Sequence, residues 1–161
     1  MGDITFNIAK GRAVELYNRV KSNDPANSAF VVVLLASTGL VSDATMKDYA
    51  TLSAVLAGAS DEATNTGYAR KVLTDADLAA FPSPDNTLDK YRITVPNQTW
   101  TAVANDGTGA IGKLLVCYDS DTTGGTDANI VPLSAHDFTV TPSGIDIVTN
   151  VNANGFYSAG E

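Results

Sequence analysis

Two continuous apolar runs constrain this chain more than any other feature. AFVVVLLA (Ala29–Ala36) and KLLVCY (Lys113–Tyr118) do not alternate, and turn-forming residues bound them. A strand with one face in water alternates apolar and polar residues, whereas a strand covered on both faces can be apolar throughout. Within the first run, Phe30 to Leu35, with its β-branched Val31, Val32 and Val33, reads as a strand buried on both faces; KLLVCY is the second continuous apolar run. Neither is long enough to cross a bilayer as a helix, which takes ~20 apolar residues.

The remaining segments are shorter. Ile4, Phe6 and Ile8 alternate as a strand does. After Gly11, Val14, Leu16 and Val20 continue a loose period of two, while a helix over Ala13 to Lys21 is the alternative. SNDPANS (residues 22–28) is turn chemistry, because Pro25 cannot donate to a ladder. Thr45-x-x-Asp48 has the form of a capping box, and Met46, Tyr49, Leu52, Val55 and Leu56 then recur at helical spacing up to Gly58. This predicts a helix over about 46–57. Thr74-x-x-Asp77 predicts a short helical turn over about 75–80, closed by Pro82 and Pro84. Further strands are expected at 68–73, 91–95, 100–103, 130–133, 138–140 and 145–151, with NDGTG, TPSG and NANG as turns. The whole chain, 1–161, reads as one mainly β domain, a sandwich or barrel with one inserted helix.

Charge narrows the functional classes. The net charge is −8 over 161 residues, and only 17% of residues are charged. No basic tract exists to neutralise phosphates, which argues against nucleic-acid binding. Lys10, Arg12, Arg19 and Lys21 bracket an apolar segment and read as solvated charges or as a contact for an acidic partner. Cys117 is the single cysteine, inside an apolar run, so a buried small side chain is expected rather than a disulfide or nucleophile. The N-terminal segment has neither a signal-peptide h-region nor a convincing acylation pattern, and no transmembrane segment is expected; a soluble protein of a reducing compartment follows.

The chemical motifs weaken on inspection. GTGAIGK (Gly107–Lys113) matches most of a phosphate-binding loop, but Leu114 replaces the hydroxyl residue and a strand, not a helix, follows. DSDTTGGTD (Asp119–Asp127) resembles the front of a calcium loop, with Asp119, Asp121 and Asp127 as candidate ligands. Its twelfth position is Ile130 where a bidentate Glu belongs, so an Asx–Gly turn is the favoured reading and calcium the alternative. His136 and Asp137 are adjacent on a strand and point to opposite faces, which disfavours a base–orienter pair. No catalytic constellation, resident cofactor or second histidine for a metal site emerges. Asn97-Gln98-Thr99 is a glycosylation sequon that has meaning only in a eukaryotic secretory context.

Taken together, ITFNIAKGRAVELYNRVKSNDPANSAFVVVLL, ARKVLTDADLAAFPSPDN, VPNQTW, GKLLVCYDSDTTGGTDANIVPLSAHDF and NANGFYSA resemble small virion structural proteins of tailed bacteriophages. The resemblance runs over nearly the whole chain and rests on turns and strands, not on chemical signatures. It implies a non-enzymatic protein made in the bacterial host cytoplasm. The role it suggests is capsid decoration, on the outer head surface, bridging subunits of the major capsid protein as a homotrimer. A tail or head–tail connector component, or a host-surface binding module, are the other roles it allows. Residues 1–12 would then be an extended arm, with Ile4, Phe6 and Ile8 as an exposed apolar patch and Lys10 and Arg12 beside it as partner contacts.

Overall fold

The computed structural model describes residues 2–58, 60–79, 81, 83–152 and 155–160. The fold is mainly β, a sandwich-like arrangement of three antiparallel sheets with three short helices. The strands are β1 (Ile4–Thr5), β2 (Ala29–Ala36), β3 (Lys71–Leu73), β4 (Pro84–Asp85), β5 (Lys90–Ile93), β6 (Thr99–Val103), β7 (Ile111–Asp119), β8 (Val131–Val140), β9 (Ile145–Val148) and β10 (Tyr157–Gly160). The main sheet has the order β1-β8-β7-β2-β3, the second β10-β5-β4 and the third β6-β9.

The two apolar runs are the centre of the main sheet. All eight residues of β2 are buried, and β2 pairs with β7 from Ala29–Asp119 to Ala36–Ile111. Cys117 is fully buried there, and burial pushes its thiol pKa well up, which keeps it protonated and unreactive. The two strands expected at 130–133 and 138–140 are one ten-residue strand, β8, which starts at Val131, because its pairing with β7 continues across the polar residues between them.

Helix α1 (Ala13–Ser22) settles the alternatives left open for the segment after Gly11. Its buried residues are Ala13, Leu16, Tyr17 and Val20, a helical stripe rather than an alternating face. Asn23 ends it in the left-handed region, its N–H bonded to the carbonyls of Arg19 and Val20. Tyr17 packs on Phe30, with 5.8 Å between ring centroids, and Phe30 meets Phe156 edge-on.

The single helix expected over 46–57 is instead two, α2 (Asp43–Met46) and α3 (Leu52–Ala57). Two caps explain the break. Ser42 Oγ accepts the Thr45 N–H and Thr51 Oγ1 accepts the Ala54 N–H, so each opens its own helix, and Thr45 is not the cap. The backbone of the interruption is used elsewhere, since the Lys47 carbonyl accepts the Asn7 N–H. The helical turn expected over 75–80 is a non-helical turn among its described residues, closed by Asp77 accepting the Thr74 N–H and O–H; Ala80 lies outside the described residues. The strand expected at 68–73 is confined to Lys71–Leu73. Gly67 explains part of this, because at φ +91 it lets the chain pass against β6, where a Cβ would lie 2.9 Å from two carbonyl oxygens.

The N-terminal segment is no free arm. β1 forms the edge of the main sheet, with Ile4 opposite Ala135 and Thr5 opposite Ser134. Phe6 is 0% exposed, and Ile4 and Ile8 are partly buried against the same core. The exposed apolar patch expected of these three residues is therefore not formed. Lys10 and Arg12 are exposed, in the turn before α1.

Candidate functional site

The densest polar arrangement lies where β1 meets β7 and β8, and it is built around a lysine. Lys113 opens the second apolar run and faces away from Leu114, its neighbour in the strand. Its side chain is 0% exposed. The ammonium donates to Asp137 Oδ1 (2.7 Å) across the β7–β8 pair and to the Gly2 carbonyl (2.9 Å), and lies 3.0 Å from Asp43 Oδ1 on α2. Asp43 also accepts the Gly2 N–H at 2.6 Å. One buried cation thus ties strand, helix and N-terminal segment together, as buried charges require.

Asp3 closes the same segment from the other face. Oδ1 accepts the Asp137 N–H (3.0 Å) and Oδ2 lies 3.1 Å from His136 Nδ1. His136 Nε2 in turn lies 2.9 Å from Ser134 Oγ. His136 and Asp137 do not pair with each other, as strand geometry requires; Asp3 supplies the carboxylate instead. The order Asp3, His136, Ser134 is that of a serine activated by an oriented imidazole. Ser134 is only 1% exposed, however, sandwiched between β1 and β7, and it does not line the neighbouring cavity. In this geometry the chain of bonds fixes the side chains and leaves no approach for a substrate carbonyl.

That cavity, of about 250 Å³, lies between the main sheet and the segments around β5, β6 and the C-terminal end. Leu114, Val116, Phe138, Val95 and Phe156 line its apolar part, and Asp3, His136, Gln98 and Asn150 are polar residues of its wall.

Burial raises the Asp3 carboxyl pKa, but the hydrogen bonds from His136 and the Asp137 N–H outweigh it, so the net shift is downward. Asp43 is likewise lowered, burial being outweighed by the Gly2 N–H and by Lys113. A carboxylate whose folded pKa lies below its unfolded value stabilises the fold above the unfolded pKa, about 3.9 for Asp. That stability is lost as pH falls through the folded value. Protection of the Ile4 and Phe6 amides, measured against their intrinsic exchange rates, is therefore expected to fall below about pH 4, ahead of the amides of β2. Simultaneous loss of protection in both strands would show that these carboxylates do not govern the edge.

A second ionic group lies at the other end of the sheet. Arg70 donates to both oxygens of Glu62 and both of Asp127. Tyr68 O–H donates to Glu62 Oε1 and accepts the Leu34 N–H, which links the group to the central strand. The same bonds, with those inside the loop, account for the three aspartates proposed as calcium ligands in the loop 119–127. Asp127 is engaged by Arg70, which holds its carboxyl below the usual range. Asp119 Oδ1 accepts the Asp121 N–H, and Asp121 Oδ1 accepts the Thr123 N–H and O–H. Asp119, Asp121 and Asp127 thus face local amides and a guanidinium rather than a common centre. Among the described residues, no three His, Cys, Asp or Glu side chains are grouped to hold a metal ion.

Sequence reasoning had missed Lys113, Asp43, Asp3 and Arg70. Only Lys113 carried a signal, as a charge at the head of an apolar run. No protein-family model matches the chain, and no curated protein and no solved structure matches it either.

Proposed function

We propose that the protein is a non-enzymatic virion structural protein of a tailed bacteriophage. In this reading it decorates the assembled head, bound as a homotrimer to the outer surface of the major capsid protein. The observation that carries the reading is how the reactive side chains are used. The groups that would do chemistry, Lys113, His136, Cys117 and Asp127, are each buried or tied into internal bonds that brace the β framework. What faces outward is an acidic surface with large aliphatic side chains on outlying strands, Val72 of β3 and Ile145 and Val148 of β9, at 47, 68 and 50% exposure. Exposed apolar side chains on strands with an open edge suit contact with another subunit. A protein that binds the assembled shell and not its dissociated parts stabilises the shell by mass action.

The test is to measure the mass of the isolated protein by light scattering and then add it to purified expanded heads. The expected result is a trimer that saturates the heads and raises their resistance to heat and chelator. A monomer that leaves the heads unchanged would overturn the proposal.

A further inference from the structure

We propose that the cavity beside His136 is a socket for one apolar side chain of a partner polypeptide, flanked in that partner by a basic residue. The inference deepens the subunit-contact reading above and rests on it for the kind of partner.

Three features of the site lead to it. The first is shape and lining. A cavity of about 250 Å³ walled by Leu114, Phe138 and Phe156 has room for a single large side chain, and its floor is apolar. Interfaces draw most of their affinity from such anchors set in desolvated pockets. The second is charge. Two carboxylates, Asp3 and Asp137, line the cavity; the Lys113 ammonium meets Asp137, and Asp3 bonds to His136 and to the Asp137 N–H. Asp3 is the outermost, with 67% of its side chain exposed, and it lines the cavity together with His136 and Asp137. A neutral-pH potential of this sign, on a chain of net charge −8, attracts a cation and repels an anion. The third is rigidity. Asp3 is held by His136 and by the Asp137 N–H, and Leu114 lies directly opposite His136 in the β7–β8 register. The acidic rim and the apolar floor are therefore fixed relative to each other before anything binds, which lowers the ordering cost of association.

The experiment titrates three capped dipeptides, acetyl-Arg-Phe-amide, acetyl-Ala-Phe-amide and acetyl-Glu-Phe-amide, into the full chain, each up to about 10 mM. Amide shifts of Leu114, His136 and Phe138 are followed by NMR. The arginine peptide is expected to bind tightest and the glutamate peptide weakest, with about three-fold between successive members at low salt. The spread should narrow in 0.5 M salt, at which the Debye length is ~4 Å. Leu114→Trp, which fills the cavity, is expected to abolish the shifts. Asp3→Asn, which keeps the cavity, is expected to retain binding and to reduce the spread between the three peptides. If Leu114→Trp does not fold, Asp3→Asn alone carries the test.

Absence of shifts at these amides, or a flat or reversed order of affinities, overturns the socket. Peptide binding with no effect of the protein on heads would instead overturn the decoration reading and leave the socket standing. Head binding that survives Leu114→Trp would show that the shell is held through another surface, and would overturn the socket as the subunit contact.

Discussion

Lys113→Ala is expected to destabilise the protein by about 3 kcal/mol and to lower its Tm by about 6–12 °C. The substitution removes a fully buried ammonium and leaves Asp137, Asp43 and the Gly2 carbonyl facing the gap. Loss of one partner of a buried pair leaves the other charge uncompensated, at about 3–5 kcal/mol. The lower end applies here, because Asp43 and Asp137 are 24 and 38% exposed and water screens what remains. Part of the loss is packing, since the aliphatic stem of Lys113 is buried too. Lys113→Met keeps most of the volume and removes the charge, so it separates the two contributions. If charge dominates, Lys113→Met is nearly as destabilised as Lys113→Ala, and adding Asp137→Asn to it recovers stability. Urea denaturation of the single and double variants measures this. A Lys113→Ala protein within about 0.5 kcal/mol of wild type would show that the lysine fills space and ties nothing.

The same residue shows what could and could not be read from the sequence. The position of KLLVCY in the centre of a sheet was legible, because an unbroken apolar run has few other places to go. That its first residue would be the hub of an ionic cluster was not, since its partners lie at positions 2, 43 and 137 and no local spacing relates them. Strand and turn identity were legible for similar reasons in β2, β7 and the Asx–Gly turn after Asp119. Misreadings occurred where tertiary bonds overrode a local pattern. Ile4, Phe6 and Ile8 alternate, and the resemblance to virion proteins made them a free arm. The pairing of β1 with β8 and the burial of Phe6 use that alternation inside the domain instead. The helical spacing over 46–57 runs through Lys47–Thr51, where a second cap at Thr51 and the bond from Asn7 to Lys47 interrupt the helix. Arg70, 57 residues from Asp127, is a partner that no local spacing could have indicated for the ninth position of the Asx–Gly turn.

Arg70→Ala is expected to cost about 2–3 kcal/mol at pH 7. The guanidinium makes a paired contact with each of two carboxylates, Glu62 before β3 and Asp127 after β7, and so pins two long loops to each other. The three side chains are 29, 22 and 35% exposed, shielded enough for the charges to matter and wet enough to soften their loss. Arg70→Lys is expected to recover little, because a point charge cannot meet two planar carboxylates at once. The pH dependence identifies the cause. Arg70 lowers the pKa of Asp127, so this ion pair adds stability above the unfolded carboxyl pKa of about 3.9 and loses it as pH falls through the lower folded value. The gap in stability between wild type and Arg70→Ala should therefore be widest near neutrality and should shrink in acid. Guanidinium salts would screen the effect, so urea is the denaturant to use, at pH 7, 5 and 3. A gap that stays constant across that range would mean that Arg70 acts through the packing of its stem, and that the loops are held by their backbone bonds alone.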